Sequence, residues 1–314
     1  MTTNLKPHLK YSDQIALLQH RGMHVSDVEF ARAAIREYGY YKISGYFYPL
    51  RKTAPQIERG SFSRLNEFVA NVHFEQIVEL IKFDDKLRSL VFQGTSSFEV
   101  SLRSAVAYIL GEQSASFHMN ESFLHSKQTE DTFTNWKLQY EKDLRNAKNQ
   151  DFVRHHIMRY EGNLPIWVAV EAMQFGTLST LISNLRDPDK QKIAEEFGIQ
   201  SRTLFLGLVE NIRVLRNNCV HHNRLWNSSI NRALKLRPNH LVDHKLFHLS
   251  DSPKDKIYIR LVLLSELIKN NISGSTFKSE LRTHVEAFPA VPLLSPEADM
   301  GFPKNWKSLD FWKS

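Results

Sequence analysis

Apolar residues recur at intervals of three and four over most of this chain, and that spacing limits the fold more than any other feature. It is the period of an amphipathic α-helix. The clearest case lies between Leu204 and Trp226, where one apolar stripe is formed by Phe205, Leu208, Val209, Ile212, Leu215 and Cys219. Glycine (12) and proline (11) are scarce among the 314 residues, whereas a fold of many short strands needs frequent turns. The pattern predicts an all-α fold, a helical bundle with long connections.

Other helices are expected where the same spacing recurs, near residues 28–38, 74–81, 86–110, 133–144, 165–176 and 257–268. Ser26 and Glu29 form a capping-box pattern that predicts the start of the first, and Gly94 predicts a kink in the third. The aromatic-rich segment Tyr40–Pro49 predicts an ordered loop or a short extended stretch. We expect an N-terminal helical and aromatic segment, a helical bundle and a C-terminal extension, at residues 1–60, 61–275 and 276–314.

The positive charge of the chain is concentrated around the longest apolar stripe. The formal net charge is +7, and between Ser201 and Arg237 seven basic residues stand against one acid, Glu210. A basic helix of this kind either binds a polyanion such as a nucleic acid or is simply a solvated face. The first interpretation gains support if the same stretch also contains side chains suited to binding or cleaving a nucleic acid.

The lack of a recognisable targeting signal and the low cysteine content predict a cytoplasmic protein with no membrane partner. The first residues contain no apolar signal core, and no run approaches the roughly 18 apolar residues that a membrane span needs. The one cysteine, Cys219, cannot form an internal disulfide, which fits a reducing compartment. Its place on the apolar stripe predicts a small buried side chain rather than a nucleophile.

Three residues at the end of the apolar stripe carry the candidate chemistry. Asn217 and His221 are four apart and share a helix face, which the long side chain of Arg216 can also reach. An arginine fork binds phosphate oxygens, and an imidazole exchanges a proton near neutral pH. These groups suit metal-independent RNA cleavage, in which the ribose 2′-hydroxyl attacks the adjacent phosphate. From spacing alone, a solvated face or an interhelical hydrogen-bond network fits equally well.

One arginine and one histidine are short of the full set of groups that this reaction needs. A second copy of the motif from a partner chain would supply the missing acid, and the sequence holds a single Arg-x-x-x-x-His stretch with a polar residue after the arginine. We therefore expect a homodimer.

Two further sets of residues are weaker candidates for RNA contact. Tyr41 and Lys42 lie in the aromatic run, which can stack unpaired bases, although core packing is the plainer explanation. Glu99 and Arg103 are four apart on a predicted helix. An ordinary surface ion pair is the first interpretation, and the alternative is that this helix faces the motif and Arg103 adds its charge there.

No motif for a bound cofactor or metal is present. The chain lacks a P-loop, a dinucleotide-binding glycine pattern, a nucleophile elbow and an H-E-x-x-H stretch. His240, His244 and His248 recur every four residues, but they would span about 12 Å on a helix, too far for one ion unless the helix breaks. A solvated or RNA-facing helix is favoured, and no cofactor is expected.

The residues around the motif resemble a known family. Arg216-Asn217-x-x-x-His221-His222-Asn223-Arg224-Leu225-Trp226-Asn227 is similar to the signature of the Abi family of bacterial abortive-infection proteins, of the AbiD/AbiF type. The resemblance extends in the family's order over nearly the whole chain. It includes Arg21-Gly22-Met23, Tyr40 to Tyr46, Phe83-Asp84-Asp85-Lys86-Leu87-Arg88, Pro165-Ile166-Trp167, Phe175 to Ser179 and Gly301 to Trp306.

The resemblance implies a fold, a role and a set of site residues. The family belongs to the HEPN superfamily of helical bundles, many of which are RNases with an R-x(4–6)-H motif. It thus implies phage defence, action on RNA, a site shared across a dimer and a small non-coding RNA partner. Carried onto this sequence, Arg216, Asn217 and His221 fall on the catalytic motif. His222, Asn223 and Arg224 fall on the family's extension and would contact RNA, together with Arg213 on the same basic helix.

Two functions remain open on this basis, with a weaker third. The first is a metal-independent endoribonuclease that acts by 2′-hydroxyl transesterification. The second is a non-catalytic RNA-binding protein that forms a ribonucleoprotein with a small RNA, since many HEPN proteins only bind RNA. The third is a protein-only interaction module.

Overall fold

A computed structural model of the chain describes residues 5–54, 64–123, 130–230, 234, 236 and 243–313. Within these ranges the regular structure consists of helices and a single two-stranded hairpin, so the all-α prediction is confirmed. The first helices are α1 (Tyr11–His20), α2 (Val28–Tyr38), α3 (Tyr40–Phe47), α4 (Phe74–Gln113), α5 (Glu130–Ala147), α6 (Asp151–Arg159) and α7 (Ile166–Ala172). The others are α8 (Phe175–Asn184), α9 (Asp187–Glu196), α10 (Arg202–Val220), α11 (Ile257–Asn271), α12 (Phe277–Glu286) and α13 (Asp310–Lys313).

The chain divides into two compact units. One combines the chain up to Leu87 with Thr283–Asp299, and the other combines Arg88–Arg282 with Met300–Ser314. The long helix α4 contributes residues to each. These two units are groups of residues that lie close together in space. They do not test the three segments expected from the sequence, at residues 1–60, 61–275 and 276–314, which stay a prediction.

The first unit packs α1, α2 and α3 beside a hairpin of β1 (Arg51–Thr53) and β2 (Arg64–Phe68). Its core contains Leu18, Ile35 and Phe47, each almost wholly buried. The buried carboxylate of Asp84 accepts a 2.8 Å hydrogen bond from the Tyr46 hydroxyl. That bond satisfies a polar group that would otherwise be costly in the core.

The second unit contains helices α5 to α11, with α10 packing against α8, α9 and α11. Its largest buried side chains include Phe98, Phe205, Trp226 and Trp306. The buried carboxylate of Asp143 accepts hydrogen bonds from the Gln174 amide (2.8 Å) and the Thr177 hydroxyl (2.5 Å), so it caps the start of α8 from α5.

Three local predictions from the sequence were wrong. The N-cap of α2 is Asp27, which accepts from the Phe30 amide at 2.9 Å. Residues Tyr40–Phe47 form α3 rather than a loop, because Gly39, with a φ of 80°, ends one helix and lets the next begin at once. Residues 111–163 contain two helices, α5 and α6, rather than one within a long connection.

Gly94 does not divide α4, which is continuous over the two helices predicted there. A Cβ atom at residue 94 would lie 2.7 Å from the ring of Phe277 and 3.0 Å from Ile268. The glycine therefore permits close packing against α11 and α12. In the described part of the chain, no helix combines the length and apolarity needed to cross a bilayer.

Candidate functional site

The helix that carries the motif is α10. Ser201 caps its start by accepting from the Leu204 amide. The predicted apolar stripe is confirmed, since Phe205, Leu208, Val209, Ile212, Leu215 and Cys219 are all buried. Cys219 is a small buried side chain inside that stripe, as predicted. The stripe fixes the rotation of α10 and with it the direction of the motif residues.

The helix ends inside the motif rather than near Trp226 as the sequence predicts. His221 is the C-cap, and His222 adopts a left-handed conformation with a φ of 54°. The His222 amide donates to the Cys219 carbonyl at 3.1 Å, and the Asn223 amide donates to the Asn218 carbonyl at 2.9 Å. This pair of bonds is the Schellman motif, usually built with glycine. A histidine there carries local strain of the kind found at functional sites.

The chain after the helix end is held in place by buried groups. Leu225 and Trp226 are fully buried and anchor the extension in the core. The Asn223 side-chain amide donates to the Asn218 amide oxygen at 3.1 Å. The buried guanidinium of Arg88, on α4, lies 3.5 Å from the Asn223 carbonyl oxygen. The turn that presents His221 and His222 is therefore ordered from both sides.

Arg216 is held by a carboxylate on α4. Its Nε lies 3.7 Å from the Glu99 carboxylate, whose other oxygen accepts a 2.5 Å hydrogen bond from Arg103. Arg103 also donates to the Val170 carbonyl. The side chains of Glu99 and Arg103 are 12% and 11% exposed, whereas that of Arg216 is 33% exposed. The prediction of an ordinary surface ion pair was wrong, because the pair is largely buried and Glu99 also faces Arg216 on the motif helix. Whether Arg103 adds its charge to the site or contacts RNA stays a prediction.

The other motif residues differ in how far their polar groups are engaged. The Asn217 amide oxygen accepts from Arg216 at 3.3 Å, so it orients the guanidinium. The two bonds from Arg213 to Glu210, at 2.7 and 2.5 Å, neutralise much of the Arg213 charge on α10 itself. His221, His222 and Asn223 are exposed, and Arg224 is half-buried.

Two of the predicted RNA contacts, Tyr41 and Lys42, belong to the first unit. Tyr41 on α3 is 91% exposed, so the interpretation that the aromatic run packs in the core is wrong for this ring, although Tyr46 and Phe47 of the same run are buried. The ammonium of Lys42 lies 5.9 Å from the centre of the Tyr38 ring. Whether either contacts RNA stays a prediction.

Two of the three histidines in the series after α10 are described by the structure, and they do not lie on the α-helix that the spacing suggests. His244 and His248 lie on a short 3₁₀ helix, where His244 is exposed and His248 packs against the rings of Tyr258 and Phe311; His240 lies outside the described residues. Burial lowers the pKa of His248 below its ordinary value. Among the residues that the structure describes, no cluster of three histidine, cysteine or acidic side chains is placed to hold a metal.

Sequence reasoning missed two positioning groups. Arg88 lies in the Phe83 to Arg88 stretch already singled out, but nothing local assigns it to the helix end. Glu99 was recognised as a partner of Arg103 only. Both contacts join residues far apart in the sequence, so helical periodicity alone cannot find them.

The arrangement combines a partly exposed guanidinium with exposed imidazoles at an ordered helix end. The guanidinium can bind a phosphate oxygen through its free edge while Glu99 and Asn217 fix its orientation. The imidazole of His221 can accept or donate a proton at the same end of the helix. No metal ion is needed for either step.

Comparison with known proteins identifies the family. A family model described as Abi-like protein matches residues 33–227, more than half of the chain, and the matched range contains α10 and the whole stretch from Arg216 to Asn227. No curated protein and no solved structure matches the chain. The resemblance predicted from the motif residues is confirmed, and the chain belongs to the family of Abi-like proteins.

Proposed function

We propose that this Abi-like protein acts in abortive infection, the phage-defence response that its family indicates, by cleaving RNA without a metal ion. The observation that carries the proposal is the state of Arg216. This cation is oriented by Glu99 and Asn217, retains an exposed edge, and precedes the exposed His221 by little more than one helical turn. A side chain that served only solubility would not need this support.

In the proposed reaction the imidazole of His221 exchanges the proton, either as the base for the ribose 2′-hydroxyl or as the acid for the leaving 5′-oxygen. The 2′-oxygen forms a bond to phosphorus as the bond to the 5′-oxygen breaks, which gives a 2′,3′-cyclic phosphate. Arg216 stabilises the added negative charge on the phosphate. A homodimer of the HEPN type would supply the second proton-transfer group from the partner's copy of the motif.

The experiment is incubation of purified protein with single-stranded RNA in EDTA. We expect products with 2′,3′-cyclic phosphate ends, and a loss of rate of about 10²–10⁴-fold in His221→Ala. His20→Ala is the matched control, because His20 is also an exposed histidine at the C-terminal end of a helix, α1. Cleavage that requires a divalent cation, or that survives His221→Ala, contradicts the mechanism.

A second candidate is a non-catalytic ribonucleoprotein with a small RNA. The observation that favours it is the pairing of Arg216 with Glu99, which withholds part of the cation's charge from a transition state. In this case Arg216→Ala and Arg224→Ala weaken RNA binding and its salt dependence, while His221→Ala leaves phage defence intact. A plaque assay with His221→Ala therefore separates the two functions.

A further inference from the structure

A cluster of aromatic rings lies on α6 and its C-cap residue, Tyr160, away from the motif helix in the sequence. The ring centres of His155, His156 and Tyr160 are 5.2 to 5.8 Å apart in all three pairs, so the three rings form one mutual contact. The Nδ1 atom of His156 lies 2.8 Å from the Phe152 carbonyl oxygen. Because a carbonyl only accepts, Nδ1 is the donor, and this bond fixes the ring on the helix.

The cluster faces solvent instead of filling a core. Tyr160 is 56% exposed, its neighbour Met158 is 78% exposed, and His155 is exposed as well. Aromatic rings that contact one another normally do so to bury their faces. The rings of His156 and Tyr160 are tilted by 33°, and the ring of His155 stands edge-on to both, so the cluster is a platform that offers a flat ligand an exposed ring face to stack on.

The stretch of chain that carries the platform, from the end of α5 through α6, has more basic than acidic side chains. Between residues 142 and 161 the exposed carboxylates are those of Asp151 and Glu161, and the buried Asp143 is engaged by α8. The exposed basic side chains in the same range are Lys142, Arg145, Lys148, Arg154 and Arg159. Within the described part of the chain, the one ion pair among these five joins Arg154 to Asp151. The excess of cations favours an anionic ligand.

We propose that the exposed rings at the C-terminal end of α6 form a second RNA-binding surface, on which His155, His156 and Tyr160 stack unpaired bases and the cations of the same stretch of chain contact phosphates. The chemistry is that of single-stranded RNA, since stacked rings need splayed bases and a duplex offers only its backbone. A protein partner would match the exposed apolar side chains but not the five cations. This inference rests on the proposed function, because it extends the contact of the same protein with RNA.

The test is binding of the full-length protein to a fluorescently labelled oligouridine and to its duplex with oligoadenylate. Tyr160→Ala is expected to weaken binding of the single strand by about tenfold and to leave duplex binding unchanged. Tyr160→Phe keeps the ring and should bind as the wild type. Tyr108→Ala is the matched control, because Tyr108 is exposed on α4 and has no basic residue within four positions in the sequence.

The outcomes separate this inference from the proposed function. Wild-type affinity in Tyr160→Ala, with weaker binding in Arg216→Ala, overturns the α6 surface and leaves the motif helix as the RNA site. An equal loss for the duplex overturns stacking, and loss of a co-purified protein without loss of RNA affinity assigns the surface to a protein. Absence of RNA binding by the wild type overturns the proposed function and this inference together.

Discussion

Two arginines in the second unit differ in burial and in how many of their hydrogen-bond donors are engaged. Arg260, on α11, is 3% exposed and donates to the Asn211 amide oxygen and to the carbonyls of Lys254 and Lys256, at 2.7 to 3.0 Å. Arg216 is partly exposed, and its buried Nε makes no hydrogen bond among the described residues, with Glu99 3.7 Å away. A guanidinium whose donors are engaged inside the core is structural, whereas one that keeps an exposed edge is available to a ligand.

Exchange of each arginine for methionine tests this contrast with the largest expected effect. Arg260→Met leaves the Asn211 oxygen and two carbonyls without their donor, so the free energy of unfolding should fall by about 2–5 kcal/mol. Arg216→Met should lower it by less than about 1 kcal/mol and instead weaken RNA binding. Urea denaturation and RNA-binding titration on both variants measure this. Equal destabilisation by the two substitutions breaks the comparison.

A buried and an exposed histidine, His118 and His20, differ in the same way, and the difference should appear in the pH dependence of stability. Burial lowers the pKa of His118 from 6.5 to about 4, so the unfolded chain binds its proton more readily. Stability from this group is complete above pH 6.5 and is lost as the pH falls towards 4, by up to about 3 kcal/mol. His118→Phe should flatten the pH dependence of the free energy of unfolding in that range. His20→Phe, a substitution at an exposed site, is the control.

The carboxylate between the two site arginines gives an intermediate effect. Glu99→Gln leaves the largely buried Arg103 without its counter-charge, which should cost about 1–3 kcal/mol of stability. Glu210→Gln is the matched control, since its pair with Arg213 is more exposed and should cost less than about 1 kcal/mol. In Glu99→Gln the side chain of Arg216 is no longer restrained by a carboxylate, so RNA binding should become more dependent on salt. An unchanged salt slope would mean that Glu99 does not restrain Arg216.

The smallest effect is expected at the helix end. His222→Gly relieves the left-handed backbone and should raise stability by up to about 1 kcal/mol. His222→Ala removes the imidazole but keeps the strain, so it should not stabilise the protein. If both variants lose RNA affinity equally, the imidazole contacts the RNA. If only the glycine variant does, the fixed backbone is what matters.

Local regularities predicted much of the fold. The buried stripe of α10 and the last core helix follow from helical periodicity. The motif residues were selected by their chemistry and by the family resemblance, and their role stays a prediction. The helix end was missed because His222 occupies a conformation that usually signals glycine. Gly94, the Arg88 contact and the Glu99 pair depend on partners distant in sequence, which no local pattern encodes.

One helix, α4, thus contacts the motif at two places, the turn after α10 and Arg216. Arg88 and Glu99 lie on α4 about 16 Å apart along its axis; one meets the turn after α10 and the other meets Arg216. A shift or local unwinding of α4 would therefore disturb both contacts at once. In a genetic screen for lost immunity to phage, disabling changes should therefore gather at codons 88 and 99 as well as at the motif, although neither belongs to it.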